Sequence, residues 1–112
     1  MRGIEGEQVL VRIYVGESKR AHHQPLYRQL LELLRAEGLA GATVLKGSAG
    51  YGPDGVVHTA NIEYLASDLP VVIETVDTRE HVEQLLGKID ALMTGGLVMT
   101  ERARVVWYRP GS

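Results

Sequence analysis

The 112 residues carry 12 Lys plus Arg against 14 Asp plus Glu, no Cys and 45% apolar side chains, enough for one domain, residues 1–112, that buries roughly two-thirds of its unfolded surface without metal or disulfide staples. The absence of Cys excludes a disulfide framework, a thiolate metal site, a cysteine nucleophile and thiol redox chemistry, and an interspersed net charge of -2 gives no broad attraction to nucleic acid or anionic lipid. No segment reaches the roughly 20 apolar residues of a membrane span, and Met1–Glu7 is charged and glycine-broken where a signal peptide needs an apolar stretch, so the expectation is a cytoplasmic protein with no direct membrane insertion.

Val9, Val11, Ile13 and Val15 alternate strictly until Gly16, which predicts a strand over 8–15. The intervening Leu10 and Tyr14 are also largely apolar, so this strand asks for cover on both faces. Residues 17–23 are polar and aperiodic and read as a loop into a helix with Pro25 in its first turn. Leu26, Tyr27, Leu30, Leu31 and Leu34 recur at helical spacing, and Gly38 supplies a left-handed cap.

Ala42–Lys46 is a short β-prone run that leads into a glycine-rich stretch, Gly47–Gly55. Residues 57–65 alternate less cleanly and read as the second arm of a hairpin across that loop. The run Val71–Val76 follows Pro70, is apolar on both faces and is expected at the centre of a sheet. Asp77 and Glu80 have capping-box spacing ahead of a second amphipathic stripe, Val82, Leu85, Leu86, Ile89, Leu92 and Met93, which ends at Gly95 and Gly96. Ala103–Tyr108 is expected to close the chain as a strand.

With right-handed crossovers this order gives an α+β fold, the ferredoxin-like split βαβ arrangement, in which an antiparallel four-stranded sheet carries both helices on one face. Leu10, Tyr14, Val72, Val76 and either Val106 with Tyr108 or Val105 with Trp107 then point to the uncovered face, a larger apolar patch than a soluble monomer usually shows. Self-association over that face is the expectation.

Two stretches are candidates for ligand binding. Lys46, Gly47, Ser48, Ala49, Gly50, Tyr51 and Gly52 combine open backbone N–H groups with an ammonium, which suits phosphate oxygens, although a hairpin tip without ligand accounts for the same residues. Thr94, Gly95 and Gly96 terminate a helix, where the dipole opposes an anion unless outside cations such as Arg102 and Arg104 contribute. A solvated strand edge explains those arginines equally well. His22 and His23 are adjacent, and His58 and His81 lack carboxylates at ligand spacing, so surface histidine describes them better than a metal site. No paired carboxylates and no nucleophile elbow are visible, so no catalytic constellation emerges.

The run Gly38–Val44, Gly50–Gly52 behind it, Leu69–Glu74, Val76–Asp77 and later Gly95–Val98 resembles, in order and spacing, the motifs of PII signalling proteins, and more closely those of their PII-like relatives in domain-of-unknown-function family 190. The resemblance covers about residues 8–108. It implies a trimer with the open sheet faces turned inward. It also implies a loop over about 52–68 that docks on a transporter or enzyme, with an adenine nucleotide-type effector in a cleft between subunits, formed by Gly50, Tyr51 and Gly52 with Thr94, Gly95 and Gly96. Where PII proteins carry Gly-Asp-Gly-Lys in the phosphate loop, Gly96 here runs directly into Leu97, Val98 and Met99, which favours a less charged adenine nucleotide than ATP, or no ligand at all. The function expected is therefore non-enzymatic regulation without a resident cofactor. The alternatives are a trimeric divalent-metal-binding protein resembling the cation-tolerance family and a cofactor-free ferredoxin-like enzyme.

Overall fold

The computed structural model describes residues 3–60, 68–109 and 111. Its elements run in the order β1 (Gly6–Gly16), β2 (Arg20–Ala21), β3 (Gln24–Pro25), α1 (Leu26–Ala36), β4 (Thr43–Lys46), β5 (Ala49–Gly50), β6 (His58–Thr59), β7 (Pro70–Asp77), α2 (Arg79–Leu92) and β8 (Leu97–Val105). The main sheet has strand order β4-β7-β1-β8 and every pair is antiparallel. This is the split βαβ topology that the element order implied.

Alternation explains the layering. Val11, Ile13 and Val15 of β1 and Val71 and Ile73 of β7 are buried against Leu26, Leu30 and Leu34 of α1 and Val82, Leu85 and Ile89 of α2. Burying each such side chain contributes about 1.5–3 kcal/mol relative to exposure. Because side chains alternate with period two, Leu10, Arg12, Tyr14, Val72, Glu74 and Val76 share the opposite, helix-free face. That face is less uniformly apolar than expected. Arg12 occupies its middle and bonds Glu74 at 2.7 Å and Glu101 at 2.8 Å, and these contacts, the Glu74 hydrogen bond foremost, hold the guanidinium above its ordinary value. Val106 and Trp107 lie beyond the sheet, while the Tyr108 hydroxyl donates to the Ala40 carbonyl at 2.6 Å.

Four expectations are corrected. The last strand is Leu97–Val105, not 103–108, because pairing with β1 extends from Tyr14 opposite Leu97 to Gly6 opposite Val105. The loop before α1 contains a small hairpin whose tip residues, His22 and His23, both have positive φ, and Gln29 ties it to α1 by donating to the Ala21 and Gln24 carbonyls. Pro25 sits at the N-cap, one residue ahead of the helix. Finally, Thr78 caps α2 by accepting from the His81 N–H at 3.2 Å.

Asp77 is freed from capping for a different task. It is fully buried, and its carboxylate accepts from the Ala40 N–H at 2.9 Å and the Thr78 N–H at 2.7 Å. His81 adds a contact at 3.3 Å and reaches on to the Glu37 carbonyl at 2.6 Å. The cluster pins the exit of α1, which Gly38 closes with φ of 76°, to the entry of α2. Asp77→Ala leaves buried amides unpaired and is expected to cost about 3 kcal/mol in urea unfolding, with Asp77→Asn retaining part of that; equal stability of wild type and Asp77→Ala would refute the pin.

Candidate functional site

One end of the sheet gathers the end of β1, the starts of β7 and β8 and the loop that follows β4. Pro70 organises that end. Its carbonyl accepts from the Gly47 N–H at 2.7 Å, and its ring lies so close that a Cβ at Gly47 or Gly50 would stand 2.7 or 3.0 Å from Cγ. The two glycines let the chain pass over the ring. Gly50 then pairs with His58, which makes residues 51–57 the loop of a short hairpin. Its tip is closed by the Gly55 N–H donating to Gly52 O at 2.9 Å and by Asp54 Oδ1 accepting from the Val56 N–H at 2.9 Å.

Between this hairpin and the sheet end lies a cleft of about 630 Å³, within the size range of small-molecule sites. Its floor is Tyr14, Val15, Gly16, Pro70 and Leu97; Gly50–Asp54 and His58 overhang it; Lys19, Asp68 and Gly96 complete the wall. Lys19 is placed by a turn in which its N–H donates to Gly16 O at 3.1 Å and its carbonyl accepts from the Leu26 N–H at 2.8 Å. Asp68 Oδ1 accepts from the Ser18 N–H at 3.0 Å, so Lys19 and Asp68 belong to one interlocked turn. Tyr14, Pro70 and Leu97 belong to the helix-free face of the sheet, so the cleft opens onto that face.

Gly96 approaches the sheet most closely. Its φ is +115°, and a Cβ there would lie 2.6 Å from the Tyr14 carbonyl and 2.7 Å from the Met93 methyl. Gly96 also borders a smaller pocket of about 360 Å³ lined by Leu86, Ile89, Asp90, Met93, Thr94, Gly95 and Val98.

The sequence candidates therefore divide. Gly50, Tyr51, Gly52 and Gly96 line one cleft of a single protomer. Thr94 and Gly95 face the smaller pocket, and Gly47 contributes spacing beside Pro70. Lys46 is engaged by the Glu17 carboxylate, whose hydrogen bond keeps the ammonium above its ordinary 10.5, and it does not line the cleft. The raised value keeps the Lys46 ammonium charged at neutral pH, and on the alkaline side the pair is lost as pH climbs through the raised value. Arg102 and Arg104 follow Gly96 by six and eight strand residues, roughly 20 and 27 Å, too far to reach the same protomer's cleft. Among the described residues no group of three or more His, Asp or Glu converges as a metal site, and no helix is long and apolar enough to cross a membrane. Of the expected 52–68 loop, residues 61–67 lie outside the described residues.

Lys19, Asp54, His58 and Asp68 were not singled out as site residues by the sequence. Lys19 sits in an aperiodic polar run, and only the fold brings that turn to Asp68 and the hairpin.

Residues 8–105 match the model of family DUF190, described as Uncharacterized ACR. A UPF0166 protein of Methanocaldococcus jannaschii is 35% identical over 91 residues, covering 80% of this chain and 83% of the relative; one from Aquifex aeolicus is 35% identical over 98 residues, 88% and 92% of the two chains. Among solved structures, CPII, a nitrogen regulatory PII-like protein from Thiomonas intermedia K12 bound to ADP, AMP and bicarbonate, superposes with a TM-score of 0.64 at 20% identity over 93% of this chain and 91% of that one. A candidate PII-like signalling protein from Thermus thermophilus superposes with 0.65 at 18% identity over 90% and 91%.

The glycine geometry separates two roles experimentally. Gly96→Ala forces a side chain against the Tyr14 carbonyl in a disfavoured backbone region and is expected to cost about 3 kcal/mol in thermal or urea unfolding. Gly52, where an added Cβ would meet nothing within 4 Å, tolerates Ala with a change below about 0.5 kcal/mol. Similar stabilities for both variants would contradict the assignment.

Proposed function

This chain belongs to the DUF190 family and has a PII-like fold, and on that premise we propose that it is a non-enzymatic regulatory protein that binds an adenine nucleotide-type effector in the Gly50–Gly52/Gly96 cleft. The observation that carries the reading is the meeting of two sequence-distant loops around one cleft of ligand size. The fold likeness to CPII, whose structure holds ADP and AMP, favours adenine nucleotide as the first ligand class to test. Lys19 supplies a cation for a phosphate, the open backbone at Gly50, Gly52 and Gly96 supplies room for close approach, and Tyr51, 74% exposed, offers a ring on which a base can stack.

The assembled form is proposed to be a homotrimer. Leu45, Leu97 and Met99 are exposed on or beside the helix-free face, and a second copy packed there would cover them and wall the open side of the cleft formed by Tyr14, Pro70 and Leu97. The effector would then be read by two chains at once. Its contacts with Tyr51–Asp54 would favour one arrangement of the 52–68 loop over others, and a transporter or enzyme partner docking on that loop would sense the difference.

Calorimetric titration of the purified protein with AMP, ADP and ATP tests the ligand, with micromolar binding expected for at least one nucleotide. Lys19→Met should weaken that binding about tenfold, the loss of one charge-assisted contact. No heat at millimolar nucleotide defeats the nucleotide reading. Light scattering tests the assembly: a mass near three times 12.3 kDa is expected, and a stable monomer at high concentration defeats the shared cleft.

A further inference from the structure

The charges around the cleft say more about the ligand than its size does. Its lining contains one lysine, Lys19, against two carboxylates, Asp54 and Asp68, with His58 beside them. The carboxylates are structurally fixed. Asp68 accepts from the Ser18 N–H in the turn that carries Lys19, and Asp54 accepts from the Val56 N–H at the hairpin tip, so neither can swing away without undoing a local turn. The other nearby cation, Lys46, is held by Glu17 and is not part of the lining. Arg102 and Arg104, on β8, are too distant along the strand to offset the pair within one protomer.

From this balance we infer that the cleft selects a nucleoside monophosphate, linear or cyclic, over the corresponding triphosphate, with Asp54 and Asp68 acting as the residues that reject the longer phosphate chain. The inference rests on the nucleotide reading above. A single phosphate can sit beside Lys19 and present one or two charges. Each added phosphate brings a further charge to a cleft whose lining, among the described residues, holds no second lysine or arginine to receive it, so the added charge faces the carboxylates unpaired and is repelled, the more so at low salt. A bound group of low charge satisfies Lys19 and leaves the carboxylates at a distance; a triphosphate cannot be kept from both. Discrimination by fixed like charge is a common way to build specificity against a near relative of the true ligand.

The test is titration of the intact wild-type protein, Asp54→Asn and Asp68→Asn with AMP, 3′,5′-cyclic AMP and ATP, in EDTA to keep the triphosphate free of metal. Asn preserves an oxygen that can accept from Val56 or Ser18, so both turns should survive, which circular dichroism and melting temperature verify. Wild type is expected to bind AMP or the cyclic nucleotide at least tenfold more tightly than ATP. Each Asn variant should tighten ATP by about tenfold while changing the monophosphate less than threefold, and the preference should shrink as salt screens the repulsion. ATP binding equal to or tighter than AMP in wild type overturns this inference and leaves the nucleotide reading standing. An unchanged ratio in both variants also overturns it. If no nucleotide binds any of the three proteins, the nucleotide reading fails and this inference falls with it.

Discussion

The pairing of β1 with β7 is the constraint from which the rest of the molecule follows. Ile13 lies opposite Ile73, Val11 opposite Thr75 and Val15 opposite Val71, so both central strands send one set of side chains into the helices and the other set away from them. A slip of one residue would turn Arg12 and Glu74 into the core and Ile13 and Ile73 into water, exchanging buried apolar surface for buried charge. The helix layer therefore fixes the register, and the register decides which face stays bare. The cleft is a consequence, since Tyr14 and Pro70 reach its floor only because they share the parity of Arg12 and Glu74.

The Arg12, Glu74 and Glu101 cluster at the middle of that bare face has a second meaning. While Arg12 and Glu74 remain about one-third exposed and Glu101 about half, such pairs contribute little net stability. Covered by another copy, the same charges would leave water, and only an arrangement that kept their mutual hydrogen bonds would be tolerated. Leu10, Tyr14, Val72 and Val76 thus surround an ionic centre on the bare face, and any copy packed there would have to match both. The helix-free face is better described as a keyed surface than as a greasy one.

How much of this was legible in the sequence depended on how many neighbours constrained each element. β1, β7 and the two helices are packed against the core, and their periodicities place them nearly to the residue. β8 has one strand neighbour, and most of its residues are exposed, so Thr100, Glu101, Arg102 and Arg104 break the alternation, and the apolar run from its last residue, Val105, through Val106 and Trp107 draws the expected strand too far along the chain. The β2–β3 turn hid for a similar reason. Two-residue hairpins with positive φ usually announce themselves with Asn-Gly, and here His22 and His23 take those positions, held by Gln29. Asp77 looked like a helix cap because of its spacing to Glu80, but the buried amide of Ala40 claims its carboxylate and leaves capping to Thr78. At the cleft, the glycines were visible and the charged groups were not, because glycine clustering is a local property whereas Lys19, Asp54 and Asp68 meet only after the chain has folded.

The glycines themselves carry two requirements at once. Gly47 and Gly50 are dictated by the ring of Pro70 and Gly96 by the Tyr14 carbonyl, so steric necessity alone accounts for two glycines of the suggested phosphate cradle and for one at the end of the second helix. Gly52 is different: no neighbour demands it, and it lines the cleft. A purely structural origin explains why the chain turns where it does, yet it leaves open space bounded by Lys19, two fixed carboxylates and an exposed tyrosine ring. Asp54 and Asp68 are placed by the turns they close, whereas no side-chain contact of that kind among the described residues accounts for the exposed ring of Tyr51 at the same rim. The proposal of a ligand accordingly rests less on the abundance of glycine than on the polar side chains that the fold places around a volume it does not fill.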